Sequence, residues 1–282
     1  MKKVLNVNPL DSLEEFVEVY KNRPIENNSG GMDFNHSFAT YLILKIKNPK
    51  LVVESGVWKG LSTYIIKSAV PKSEIVCLDV NFKNIQYKVD SANYFETDFS
   101  DINWSKFQNI NDSVCFFDDH QNSLERLKEM KWWGFTRAIF EDNFPVGEGD
   151  AYSLKQIINK TGHPNIQLSK KYKPKKNIEK IIRKYEESVL HKYYFRQNMI
   201  KLPNTVDEAG ARLNIKDMYE FPPVYTHNTS YWGPKWEGNY NKLEDLINTE
   251  NINQYPHFLK FFTNNKNHFN YSFITYVELK NR

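Results

Sequence analysis

The stretch VVESGVWKGLST, residues 52–63, decides how the chain is read. A β-branched pair enters it, two glycines break it, and helix-forming residues leave it. That is the pattern of a strand, a tight turn and a helix. Gly56 and Gly60 would let the backbone approach a ligand at a helix N-terminus, where unpaired N–H groups point outward. Two common phosphate sites do not fit. A phosphate loop needs Lys and then Ser or Thr after its last glycine, and here Leu61 follows Gly60. A dinucleotide turn needs GxGxxG, and Val57 breaks that spacing.

Working outward, the same alternation continues. Strands are expected at 50–55, 73–80, 91–99, 113–119 and 135–143, and helices at 61–70 and 123–134, the last closed by Gly134. Upstream, 12–22 reads as an amphipathic helix with a capping box from Ser12 to Glu15, 24–33 as a loop, and 34–48 as a helix. Alternating strands and helices imply an α/β, doubly wound parallel sheet of the Rossmann-like kind, whose ligands sit at the carboxyl ends of the strands. Every expected strand ends in polar residues: Glu54, Asp79, Asp98, Asp118 with Asp119, and Glu141 with Asp142 and Asn143.

Beyond Pro145 the pattern loosens. A long basic helix is expected at 177–201, an aromatic, proline-rich loop at 220–238, and a closing strand or hairpin at 268–280. The expected organisation is a single domain over 1–282. It comprises N-terminal helices and a lid (1–48), a core (49–155), a helical and aromatic-loop insert (156–240), and a C-terminal helix with closing strands (241–282).

At 282 residues with 40% hydrophobic and 15% aromatic side chains, the chain can build a sizeable core. Cys77 and Cys115 both lie in apolar runs and read as buried small hydrophobes, which favours a reducing, cytoplasmic setting. No signal peptide is read at the N-terminus, and no apolar run is long enough to span a bilayer. The formal charge of +4 is uneven. Residues 155–201 carry 13 basic residues against three acids, so an anionic partner faces that segment or it is a solvated helix face.

Adding the acids to the glycine turn produces a resemblance. Glu54 at one strand end, the turn, and Asp79 about 25 residues on at the next strand end resemble class I S-adenosylmethionine (SAM) methyltransferases. The form ESGVWKGLS looks most like the E-x-G-x-x-x-G-x-S turn of the macrocin O-methyltransferase and cephalosporin-hydroxylase-like branch. The resemblance implies SAM contacts from Glu54, Gly56, Gly60 and Ser62, ribose bonding by Asp79, and Asp98 near the adenine. It also implies a lid from SGGMD (29–33), bringing Gly31 and Met32 to the cofactor, with Asp118 at its edge.

In that branch, and in catechol-type O-methyltransferases, the fourth strand ends in a metal-binding Asp and the fifth in an acidic pair or Asp-Asn. Here the matching stretches are CFFDDHQ (115–121) and IFEDNFP (139–145). The implied ligands are Asp118, Asp142 and Asn143, with Glu141 as a replacement, and hard oxygen donors suit Mg²⁺. Successive strand residues face opposite ways, so Asp118 and Asp119 are not expected to share a job. His120 is the first candidate for general base and Asp119 the second.

The expected activity is metal-assisted methylation of a hydroxyl on a sugar or other small polar, phosphate-bearing acceptor. Tyr225, Tyr231, Trp232 and Trp236 are candidates for stacking on it. A nucleic-acid methyltransferase and a non-catalytic binding scaffold are the alternatives, and the C-terminal aromatics leave room for a homodimer.

Overall fold

A computed structural model describes residues 7–144, 151, 153–155, 215–225, 229–230, 233–234, 245–248, 250–256, 258, 260–261, 271 and 273–280. The expected basic helix at 177–201 lies outside them, as do Tyr231, Trp232 and Trp236 of the aromatic loop.

The main sheet is built from β1 (Leu51–Ser55), β2 (Glu74–Asp79), β3 (Asn93–Glu96), β4 (Ser113–Phe117), β5 (Arg137–Phe140), β6 (Ile215–Glu220) and β9 (Thr275–Leu279). A separate two-residue ladder pairs β7 (Thr229–Ser230) with β8 (Gly233–Pro234). The main sheet runs in the order β3-β2-β1-β4-β5-β9-β6. The first five strands are parallel, while β9 runs antiparallel to both β5 and β6. This is the expected Rossmann-like, doubly wound sheet, with β9 as its one antiparallel insertion. Its order reverses between β1 and β4, the place where such sheets open a crevice at their carboxyl ends.

Helices α1 (Leu13–Lys21), α2 (Phe34–Lys47) and α3 (Leu61–Ala69) belong to the core on one face, against Val52, Cys77, Val114, Phe116 and Ile139. Helix α4 (Ser123–Trp133) covers the other face with Phe99 and Trp104, against Val53, Leu78, Cys115, Phe117 and Phe140. Period-2 alternation explains the division: even-numbered residues of β4 face α2, odd-numbered ones face α4. The central strands are buried along their length because both faces are covered. Both cysteines are free and buried. Among the described residues no helix is long and apolar enough to cross a membrane.

Two local expectations are corrected. Ser12 occupies the N-cap of α1 without a side-chain cap bond. Glu15 instead accepts from Tyr41 Oη at 2.6 Å and pairs with Lys45, so α2 draws its carboxylate away from its own N-terminus. Strand β6 was not expected at all. IKDMYE lacks clean alternation, and its pairing with β9 supplies what its own pattern does not.

Candidate active site

The glycine turn follows β1 directly. Gly56 has φ +92°, and a Cβ there would lie 2.1 Å from the carbonyl oxygen of Asp118. Gly60 has φ +98°, and a Cβ would lie 2.1 Å from the carbonyl oxygen of Tyr87. Both glycines therefore make room for this chain's own backbone. Gly56 lets β1 and β4 exit side by side.

Asp79, at the tip of β2, reaches across to the turn. Its Oδ2 accepts from the backbone N–H groups of Val57 (3.0 Å) and Trp58 (3.2 Å), and its Oδ1 from that of Asn81 (2.9 Å). Three of roughly four acceptor positions on the carboxylate are filled this way. Trp58, with φ +50° and 40% exposed, stands beside the turn. Its indole N–H donates to Ser29 O (3.4 Å), and Lys59 Nζ reaches Asn27 O and Ser29 O, so the 27–32 loop is tied over the turn. Gly31 donates its N–H to Asn28 O within that loop. Met32 is buried, its carbonyl held by Asn28 and its sulfur by the Thr40 hydroxyl.

Glu54 points the other way, under α3. It is fully buried and accepts from Thr63 Oγ1 (2.6 Å) and Cys77 Sγ (3.2 Å). Burial pushes its pKa up to about 7, against the pull of the Ser62 and Thr63 hydroxyls. Glu54 and the buried Ser62 therefore support the turn from below.

Asp118 and Asp119 part ways at the tip of β4. Asp119 turns toward α4: its Oδ2 accepts from Ser55 Oγ (2.6 Å) and Arg126 Nε (3.0 Å). Arg126 also holds Asp98 through two parallel bonds (3.0 and 2.6 Å) and reaches Glu129 (2.8 Å). One guanidinium, its side chain 4% exposed, thus gathers three carboxylates. Burial raises the pKa of Asp98, but the hydrogen bonds and charge of Arg126 outweigh this and hold it at about 2. Its depressed pKa contributes stability above its ordinary value near 3.8, lost as pH falls toward about 2. We expect Arg126→Lys, which keeps the charge but loses the fork, to cost about 2 kcal/mol at neutral pH. Chemical denaturation across pH 2–5 should show the acid-side slope of the wild type flattened in this variant.

Asp118 faces α2 and meets two other groups. One ligand atom from each of Asp118, His120 and Asp142 lies within 4.8 Å of the others. His120 Nδ1 is 3.3 Å from Asp142 Oδ2, and its side chain is 41% exposed. Its φ of +53° turns the ring toward the β5 tip. Glu141, behind this group, is buried and bonded to the Nδ1 of buried His36. Burial, and then the neighbouring Asp142, raise the pKa of Glu141 far above the carboxylate range. Burial and then Glu141 do the same to Asp118. Burial alone would raise Asp142 too, but bonds from His120 and Glu141 hold it at about 2. Carboxyl groups buried this close oppose one another's ionisation, and the oxygens of Asp118 and Asp142 with the His120 imidazole form a donor set for a divalent cation.

Asn143 is buried just after β5. Its Nδ2 donates to Thr275 Oγ1 (2.7 Å) and its Oδ1 accepts from the Lys155 N–H (2.7 Å), which braces β9 and residue 155 against the end of β5. Three neighbours of the site went unnoticed in the sequence: His36, Ser55 and Arg126. His36 had a signal, an imidazole after Asn35 at the start of an otherwise apolar helix. A lone Arg in an amphipathic α4 had none.

No family model and no curated protein sequence matches the chain. Solved structures with similar arrangements include CmcI with Mg and SAM, at 15% identity over 45% of this chain and 65% of that one, with a TM-score of 0.33. The chain thus spans about two thirds of that protein's length. A CmcI apo structure aligns at 13% identity over 76% and 77% of the two chains, TM-score 0.35. SAH-bound Podospora anserina methyltransferase PaMTH1 aligns at 14% over 77% and 84%, TM-score 0.39. At these identities and scores, activity does not transfer from those proteins to this chain.

Proposed function

We propose that this chain is a SAM-dependent O-methyltransferase whose acceptor hydroxyl is held at a divalent cation, Mg²⁺ by its hard oxygen donors. The observation that supports this is the meeting of Asp118, His120 and Asp142 at the tips of β4 and β5, beside the point where a class I methyltransferase sheet reverses its order. Asp118 and Asp142 are the ligands, with Glu141 behind them. A cation bound there supplies Lewis-acid polarisation of the acceptor oxygen. His120, exposed at the mouth and oriented through Nδ1 by Asp142, would take the hydroxyl proton as the acceptor oxygen bonds the methyl carbon and the methyl–sulfur bond breaks, with S-adenosylhomocysteine the leaving group. Asp79 keeps an acceptor position for a ribose hydroxyl, and Trp58 offers an exposed indole face beside the turn. The acceptor is a sugar or another small polar molecule bearing phosphate, a reading supported by the basic and aromatic stretches of the sequence.

Calorimetry tests the cofactor. SAM should bind the wild type one to one, and Asp79→Asn, which keeps an acceptor for the turn and gives up the one for the Asn81 N–H, should weaken it about tenfold or more while a thermal melt shows the chain still folded. A well-folded wild type giving no heat with SAM would end the methyltransferase reading. His120→Ala should lower kcat by about 10²–10⁴ while Mg²⁺ affinity persists, the range for a lost general base. Loss of Mg²⁺ binding in that variant would instead make His120 a ligand, which its place beside Asp118 and Asp142 also allows.

A further inference from the structure

A carboxylate cluster is useful only if its members are aimed, and one aiming residue lies on a helix the strand-tip pattern does not include. His36 sits in the first turn of α2, 4% exposed, with its ring edge-on to Tyr271 at 5.9 Å. Its Nδ1 bonds Glu141 Oε1. Glu141 in turn bonds Asp142, whose other neighbour is His120. A chain of polar contacts thus runs from the helix to the exposed imidazole.

The helical turn carrying His36 is itself fixed. Asn35, also buried, accepts from the backbone N–H of Val224 (2.9 Å) and of Tyr225 (3.3 Å) and donates to Tyr225 O (2.9 Å). Neighbouring helix residues project about 100° apart, so one side chain grips residues 224–225 while the next reaches Glu141. A buried imidazole–carboxyl pair is a costly choice for a core position that an apolar side chain would fill.

We propose that His36 is a positioning residue: its Nδ1–H fixes the Glu141 carboxyl group, and through it Asp142, in the orientation that receives a divalent cation. This rests on the cation reading above. With Glu141 Oε1 as the acceptor, whether or not the other oxygen of the carboxyl group holds a proton shared with Asp142, Nδ1 must carry the proton.

Mn²⁺ alone, without SAM or acceptor, is the probe, with free ion counted by electron paramagnetic resonance. His36→Phe should weaken Mn²⁺ binding about 10–100-fold, the usual cost of losing a group that orients a ligand. His36→Asn should recover most of that loss, because its amide N–H can stand where Nδ1–H stood. His36→Gln, whose amide matches the other ring nitrogen, should recover less. Thermal melts accompany each variant, and if His36→Phe fails to fold, the Asn and Gln pair decides. Wild-type affinity in His36→Phe, or equal weakening in the Asn and Gln variants at equal stability, overturns the proposal. A wild type that binds no Mn²⁺ overturns it together with the cation reading. A wild type that binds while His36→Phe binds equally well overturns the role of His36 alone.

Discussion

Asp142→Ala should abolish divalent-cation binding and lower methyl transfer by at least about 10³-fold, with SAM binding retained, if the proposed cation holds the acceptor. The size follows from the role. A Lewis acid at the acceptor oxygen contributes several kcal/mol of transition-state stabilisation, and each 1.4 kcal/mol is tenfold in rate. Asp142 is the group to remove because the structure gives it two jobs: it belongs to the trio with Asp118 and His120, and its Oδ2 faces the imidazole. Bonds from His120 and Glu141 hold its pKa down against burial and favour the ionised form that a cation needs. Calorimetry with Mg²⁺, calorimetry with SAM and turnover should separate accordingly: the first and third lost, the second kept. Turnover that survives EDTA in the wild type would remove the cation from the reaction, and an Asp142→Ala enzyme of undiminished rate would remove Asp142 from the site.

Gly56→Ala should be strongly destabilising. Two effects add. A residue with a Cβ at φ +92° carries about 1–3 kcal/mol of backbone strain. The methyl also meets the carbonyl oxygen of Asp118 at 2.1 Å and the N–H of Asp119 at 2.9 Å, backbone atoms fixed by the β1–β4 ladder, and overpacking of that kind costs about 1–3 kcal/mol more. Together they lower the melting temperature by about 10 °C. Gly134→Ala is the control. It has φ +90° at the end of α4, but the nearest atoms to its Cβ are side-chain atoms at 3.7 Å or more, so strain alone remains. Equal losses in the two variants, read by calorimetric melting, would mean that the close approach to Asp118 contributes nothing.

The sheet was legible because its signals are local. β1, β2 and β4 are apolar runs bounded by turn residues, and α3 begins where the glycine turn ends. The strand-tip acids were legible for the same reason, and alternation alone separates Asp118 from Asp119 across the two faces. What lay hidden depends on partners distant in sequence. Arg126 gathers Asp98 and Asp119 from two other loops, and nothing within α4 foretells that. Glu15 reads as half of a capping box until α2 brings Tyr41 and Lys45 to it. Asn143 reads as a metal donor, and nothing near it in sequence foretells that Thr275 and the backbone of residue 155 also engage its amide. The shape of the glycine turn was visible for the same local reason, while the backbone that Gly56 and Gly60 must clear, at Asp118 and Tyr87, comes from elsewhere in the chain.

The insertion of β9 between β5 and β6 sets an order of assembly. Synthesis delivers β5 long before β9, and until Thr275–Leu279 emerges the outer edge of β5 has no partner. That edge belongs to Arg137–Phe140, three of whose residues are buried in the finished protein. An unpaired apolar strand edge templates association between chains. A nascent or truncated chain ending before residue 275 should therefore be prone to aggregate even with the β3-β2-β1-β4 half of the sheet in place, and β6 would have nothing to pair with. Non-local closure of this kind also slows folding, since the loop must be ordered before the contact rewards it.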